Sequence, residues 1–261
     1  MNAREGRWGG RLTRRPLPED DTEIDALSDA QRRELSAVWL GRAASELRVA
    51  QAFEVICRAL GELGSKGALT ELAARAVDDE QRHSELSRLI ASRFAGRSLE
   101  APARLTLTVP EHPGAPSKVL LSLHVVGQCA MNETLASAFL EVGLRRGSTA
   151  LARAAARELL IDEIDHARIG WAHLAELTSA ERRALVPWLP SMLRANLKMW
   201  RDAHRDGPSD PELRRHGALS VDAIEDALLG AIRGLILPGL EQFGLPTTGM
   251  RAWLARGAPT T

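Results

Sequence analysis

The stretch Asp78–His83 reads Asp-Asp-Glu-Gln-Arg-His, and the later stretch Asp162–His166 reads Asp-Glu-Ile-Asp-His. Both contain the pattern Asp-Glu-x-x-His. Because residues three positions apart lie on one face of a helix, about 5–6 Å from each other, each copy can present a carboxylate and an imidazole toward one point. This pair of ligand types suits a redox metal. Two copies indicate two metals and a fold that brings two helices to one centre.

The composition is that of an ordinary globular protein. The chain has 261 residues and a mass of 28.4 kDa, with 44% hydrophobic and 26% charged residues, which allows a substantial core. Its formal net charge is zero, so charge gives no indication of a nucleic acid or an acidic membrane as partner. Two cysteines, Cys57 and Cys129, are too few for a disulfide scaffold, and we expect a cytoplasmic location.

Apolar residues at spacings of three and four predict an all-α fold. We predict a flexible arm over residues 1–27, a four-helix bundle over 28–178 and a C-terminal helical extension over 179–261 that packs on the bundle. Residues 95–117 contain Pro102, Pro110, Pro113 and Pro116, and we predict that they form a long crossover between the second and third helices. The predicted helices cover about 28–63, 66–93, 117–147, 148–177, 180–204, 221–243 and 248–256.

Glu133 lies in the middle of the third helix, which is apolar nearly all round. Aligning Glu133 with Glu46 of the first helix gives a repeat: Glu, then Glu-x-x-His, a crossover, and the same order again. Buried unpaired, these groups would be very costly, whereas two divalent cations would balance the carboxylates. The predicted metal ligands are Glu46, Glu80, His83, Glu133, Glu163 and His166. Glu54 remains an alternative to Glu46.

These motifs resemble those of the ferritin-like superfamily of di-iron carboxylate proteins, over about residues 30–178. Residues 79–83, Asp-Glu-Gln-Arg-His, resemble the Asp-Glu-x-Arg-His signature of its oxygenase branches, such as the bacterial multicomponent monooxygenases. The second copy departs at Asp165, where that branch has Arg. The resemblance implies a ferritin-like four-helix bundle. It also implies that two aspartates support the ligands from outside, Asp79 holding His166 and Asp162 holding His83.

By the same resemblance we expect a non-haem di-iron oxidoreductase that activates O2 and oxygenates a small organic substrate by hydroxylation, N-oxygenation or desaturation. The expected cofactor is two iron ions, with manganese as an alternative at one position. An electron-donor protein and a homodimer remain open as partners. Two alternatives remain, a ferroxidase and a non-catalytic binding protein with a vestigial site. The C-terminal extension favours the oxygenase, because it could build or cover a substrate pocket.

Other residues on the apolar helix faces have two interpretations. Trp39, Phe53, Phe139 and Trp171 can line a pocket or simply fill the core. Gly170, one turn after His166, can leave room beside the metals or provide a packing contact. His173 lies on the same stripe as His166, and we expect it to be a core or rim histidine.

Overall fold

The computed structural model describes residues 12–208 and 210–258, which form helices and loops and contain no β-strand. The predicted all-α class is confirmed. The helices are α1 (Thr22–Asp25), α2 (Asp29–Leu63), α3 (Gly67–Ala95), α4 (Ser117–Val125), α5 (Glu133–Arg146), α6 (Ala150–Glu176), α7 (Ser179–Leu185), α8 (Leu189–Ala203), α9 (Pro211–Arg215), α10 (Val221–Ala231), α11 (Leu237–Gln242) and α12 (Thr248–Ala255), with π-helical segments at Val126–Asn132 and Ile232–Ile236. None of these described helices is long and apolar enough to cross a membrane.

Helices α2 and α3 pack side by side along their length. Ser28 begins α2 with a capping box, in which its hydroxyl accepts from the Gln31 backbone N–H and the Gln31 side chain accepts from the Ser28 backbone. Gly64 ends the helix in the left-handed region at φ 68°, which a residue with a Cβ rarely adopts. The short turn that follows makes the two helices antiparallel neighbours.

The third rod consists of α4, the π-helical segment Val126–Asn132 and α5, which follow one another without a break in helical geometry. It packs against α2 and α6, while α3 also packs against α6. The sequence pattern predicted one helix here but not the π-helical segment. A Cβ built on Gly170 would lie 2.2 Å from the backbone N of Ala130 in that segment. Gly170 is therefore a packing contact, since it lets two helix backbones touch.

The C-terminal helices cover the third rod. Helix α7 packs on α4, α8 on the π-helical segment and α10 on α5, and all share one hydrophobic core with the rod. The predicted helix 180–204 is broken by the turn at 186–188, which contains Pro187. The predicted helix 221–243 is helical without a break from Val221 to Gln242, with the π-helical segment in its middle and Pro238 in the first turn of α11. Residues 96–116 form an irregular connection from α3 to α4, and the predicted extended piece at 105–109 is not a strand.

The predicted flexible arm divides into two parts. Residues 1–11 lie outside the described residues. Residues 12–27 contain the one-turn helix α1, and Ile24 and Leu27 are buried in the core. Arg93 of α3 donates a hydrogen bond to the carbonyl of Pro18 at 2.6 Å and another to Asp21 at 2.9 Å. The described part of the arm is thus held against the helices.

We expect Gly170→Ala to lower the free energy of unfolding by about 2 kcal/mol, because the nearest atoms belong to the Ala130 backbone and cannot move as a flexible side chain could. Gly61→Ala is the matched control, since nothing lies within 4 Å of its added Cβ. The control should be neutral or more stable by roughly 0.5–1 kcal/mol. Denaturant unfolding measures both, and equal midpoints would contradict the close helix contact.

Candidate metal centre

The structure brings all six predicted ligand side chains together. They form two overlapping groups, in each of which one ligand atom per residue lies within 4.8 Å of the others. The first group is Glu46, Glu80, His83 and Glu163, and the second is Glu80, Glu133, Glu163 and His166. Because Glu80 and Glu163 belong to both groups, either carboxylate can be shared by two ions. The buried cluster could hold a metal ion.

Each imidazole lies between the cluster and an aspartate of the other Asp-Glu-x-x-His copy. The Nδ1 atom of His83 lies 3.3 Å from Glu163 Oε1, and its Nε2 lies 3.0 Å from Asp162 Oδ2. The arrangement of His166 is equivalent. Its Nδ1 lies 3.0 Å from Glu80 Oε1, and its Nε2 lies 3.6 Å from Asp79 Oδ2. The two aspartates thus occupy the positions that the resemblance implies, and both Nδ1 atoms are directed to the cluster.

The donor set fits a bound cation. Glu80 is completely buried, and its carboxylate makes no hydrogen bond of regular geometry among the described residues, although its oxygens lie 3.0 Å from His166 Nδ1 and 3.5 Å from His83 Nδ1. His83 Nδ1 also lacks a regular hydrogen bond, although it lies between Glu80 and Glu163. An ionised carboxylate buried without a partner costs several kcal/mol, so such a group is normally neutralised or bound to a cation. Carboxylate oxygens with imidazole nitrogens suit iron or manganese.

The two imidazoles hold protons when no metal is present. Burial alone would lower the pKa of His83, but its close contacts with Asp162, Glu163 and Glu80 raise it well above its usual value. The pKa of His166 is raised in the same way, by Asp79, Glu163 and Glu80 against the effect of burial. A metal ion therefore has to displace these protons when it binds.

The pKa values of the carboxylates in the cluster are shifted in opposite directions. Burial, together with the charges on Glu80 and Glu163, raises the pKa of Glu46 to about 8. Burial and the same neighbours also raise the pKa of Glu133 well above its usual value. Burial would raise the pKa of Glu163 too, but hydrogen bonds with His166 and His83 hold it well below its usual range. The negative charge of the metal-free cluster is thus concentrated where the two imidazoles meet.

Two arginines close the outer side of the cluster at Asp162, and sequence reasoning did not identify them. Arg82 and Arg14 both donate to the Asp162 carboxylate, and the Arg14 backbone N–H donates to Glu158 at 2.7 Å. Burial would raise the pKa of Asp162, but hydrogen bonds with His83 and Arg14 hold it well below its usual range. Arg14 belongs to the predicted arm, and no spacing in the sequence indicates this long-range contact.

The π-helical segment supplies the surroundings of Glu133. The side-chain amide of Gln128 donates to Glu133 Oε1, and Asn132 donates to the same oxygen at 3.4 Å. Asn132 in turn accepts a hydrogen bond from the indole N–H of Trp200 on α8 at 2.9 Å. Gln128 and Asn132 are amides in an otherwise apolar helix, and this was the signal in the sequence that could have identified them.

The alternative ligand candidates lie elsewhere. Glu54 is exposed, whereas Glu46 belongs to the cluster. Glu141 is also exposed and lies 3.6 Å from Arg145. His173 is buried outside both groups, and neither ring nitrogen has a hydrogen-bond partner among the described residues.

A cavity of about 1040 Å³ reaches the cluster between α2 and the third rod. Glu46, Glu133 and Glu163 form part of its wall, which explains why Glu46 is only half-buried although protein surrounds its other sides. Trp39 and Phe139 line the same cavity, whereas Phe53 packs against the His166 ring with centroids 5.0 Å apart. Residues 106–110 of the crossover and the helix α8 also line it. The cluster thus has one side open to a large cavity.

Comparison of the chain with protein-family models, with curated proteins and with solved structures found no significant match in any of the three.

We expect Glu133→Ala to abolish the loading of two metal ions per chain, because it removes a ligand from one of the two groups. Glu141→Ala is the matched control, since Glu141 lies on the same helix and is exposed. Metal analysis after anaerobic loading with ferrous iron gives the stoichiometry. If Glu133→Ala still binds as much iron as the control, the ligand assignment is wrong.

We expect Asp162→Asn to weaken metal binding by roughly 10- to 100-fold, because the change removes the charge that orients His83. Asp165→Asn on the same helix is the control, since Asp165 forms ion pairs only with Arg75 and Arg168 among the described residues. Competition with a chelator measures the affinity. An equal loss of metal affinity in the two variants would show that Asp162 contributes only a negative charge on α6 and does not orient His83.

Proposed function

We propose that this protein is a non-haem di-iron oxidoreductase of the ferritin-like type, which activates O2 to oxygenate a small organic substrate by hydroxylation, N-oxygenation or desaturation. The observation that carries the proposal is a cluster that shares Glu80 and Glu163 between two ligand groups and opens on one side to a cavity of about 1040 Å³. A cluster suited to a pair of metal ions and a chamber large enough for an organic molecule together support this chemistry.

The order of the helices supports the ferritin-like assignment. The four ligand-bearing elements α2, α3, the third rod and α6 supply Glu, Glu-x-x-His, Glu and Glu-x-x-His in that order. The long connection 96–116 joins the second and third of these elements. This is the ligand set and the connectivity of carboxylate-bridged di-iron and di-manganese bundles. Manganese at one of the two positions is compatible with the same ligands.

Two ferrous ions at this site would supply the two electrons for the reduction of O2 beside a substrate. The residues of the chain do the rest. His83 and His166 would bind through Nδ1, because Asp162 and Asp79 engage their Nε2 atoms. Gln128 orients the carboxylate of Glu133. The cavity would place the substrate against the side of the cluster that Glu46, Glu133 and Glu163 form, with its apolar body on the largely apolar wall.

The cavity favours an oxygenase over a ferroxidase. Iron ions on their way to a mineral store need a polar path, not a chamber of about 1040 Å³. Much of this chamber is lined by apolar side chains, among them Val49, Ile56, Leu123, Met192 and Trp200. Helix α8 supplies the last two of these, so the C-terminal extension takes part in building the chamber.

We expect the wild-type protein to bind about two ferrous ions per chain without O2 and to oxidise both when O2 is added, with a transient absorbance in the visible range. Chemical reduction should then return the iron to the ferrous state while it stays bound, for a second round. Stopped-flow absorbance and metal analysis follow both stages, and Glu133→Ala is the inactive control. Accumulation of ferric mineral beyond two ions per chain would instead indicate a ferroxidase, and the absence of iron binding would leave only a vestigial site.

A further inference from the structure

One cationic side chain in the cavity wall has no assigned role. Arg42 lies on α2 one turn before Glu46 and lines the cavity. Its guanidinium carbon lies 5.2 Å from the centroid of the Trp39 ring and 4.8 Å from that of the Phe139 ring. Two aromatic faces from different helices therefore hold the guanidinium in place.

Arg42 has no hydrogen bond and no ion pair with any of the residues that the structure describes. Other arginines in the interior do have carboxylate partners, as Arg82 has Asp162 and Arg201 has Glu225. Burial lowers the pKa of Arg42, although the charges on Glu46 and Glu163 oppose this effect. The half-buried guanidinium lines the cavity without a protein partner for its five N–H donors, so a ligand in the cavity could accept hydrogen bonds from them.

The other charged and titratable groups on the cavity wall do not neutralise Arg42 when the site is filled. Glu46, Glu133 and Glu163 belong to the cluster, where two dications would balance the four carboxylates. Arg48 also lines the cavity and donates to Ser45 at 3.4 Å. The remaining titratable groups on the wall are histidines, His112, His124 and His204. With two metal ions bound to the cluster, the cavity therefore carries a positive charge that a bound anion would balance.

We propose that Arg42 binds the carboxylate of the substrate, which is an organic acid with a largely apolar body that fills the cavity beside the cluster. The fork of the guanidinium matches a carboxylate in a bidentate contact, which an ammonium group cannot reproduce. The position one turn from Glu46 places the carboxylate close to the cluster and the apolar body along the wall lined by α2, the third rod and α8. This assignment rests on the proposed function, because it takes the cavity to be the substrate chamber.

The test compares acids with neutral molecules of the same shape. Octanoate with octanamide and 4-phenylbutanoate with 4-phenylbutanamide are titrated into the metal-free and the Zn²⁺-loaded full-length protein and followed by calorimetry. We expect at least one acid to bind wild type about ten- to hundredfold more tightly than its amide, the range for a desolvated charge-assisted contact. Arg42→Gln should reduce this ratio to about one and leave the loading of two metal ions unchanged.

Arg58→Gln is the matched control, because Arg58 lies exposed on the same helix, and it should keep the full ratio. The proposal is overturned if neither acid is preferred by wild type, or if the preference survives Arg42→Gln, as it would if the carboxylate bound only to the metal. Should Arg42→Gln fail to fold, Arg42→Lys decides: a reduced ratio supports the forked contact, and an undiminished one overturns it.

The experiment separates this inference from the proposed function, since it uses no iron and no O2. If the protein binds no iron but still binds an acid more tightly than its amide through Arg42, this result would refute the proposed function and support the acid site. Normal iron oxidation in a protein without any acid preference would retain the proposed function and refute the acid site.

Discussion

The structure depends on the burial of four carboxylates and two imidazoles around one point inside a helical core. Glu80 is completely buried and makes no hydrogen bond of regular geometry among the described residues, so the core tolerates its charge only if a positive charge lies beside it. In the metal-free protein this charge comes from the two imidazoles, whose pKa values are raised. A pair of divalent cations would also supply positive charge beside Glu80 and would displace the protons from the two imidazoles.

The part of the site that the sequence predicted is the part that depends on local geometry. Three-residue spacing on a helix puts Glu80 beside His83 and Glu163 beside His166, whatever the rest of the chain does. The choice between Glu46 and Glu54 needed the structure, because both lie on α2 and only the packing of that helix decides which one faces inward. A pocket built with the C-terminal extension was expected, but its position, its lining and the contact of Arg14 with Asp162 could not be predicted, since they depend on residues far apart in the chain.

The fold shows the same division between local and long-range effects. Local signals account for the start of α2 at the Ser28 capping box and for the break between α7 and α8 at Pro187, because these signals act on the nearest turn. The π-helical segment Val126–Asn132 has no such signal, and it is fitted to the α6 backbone at Gly170. The segment also brings Gln128, five residues before Glu133, to its carboxylate. Five residues is the repeat of the π-helical hydrogen bond, so the irregular backbone and the support of this ligand have one cause.

One side of the cluster is surrounded by ion pairs, and the other side faces the cavity. On the side of α3 and α6, the aspartates Asp79 and Asp162 engage the imidazoles, and Arg82 and Arg14 cover Asp162. This side is polar, paired and closed. On the side of α2 and the third rod, the carboxylates of Glu46 and Glu133 face a large cavity. Among the described residues, the cavity thus reaches the cluster at carboxylates, whereas the imidazoles are held by a second layer of ion pairs. Rigid support on one side and open space on the other is the arrangement that a metal centre needs if it is to bind a substrate without losing its ions.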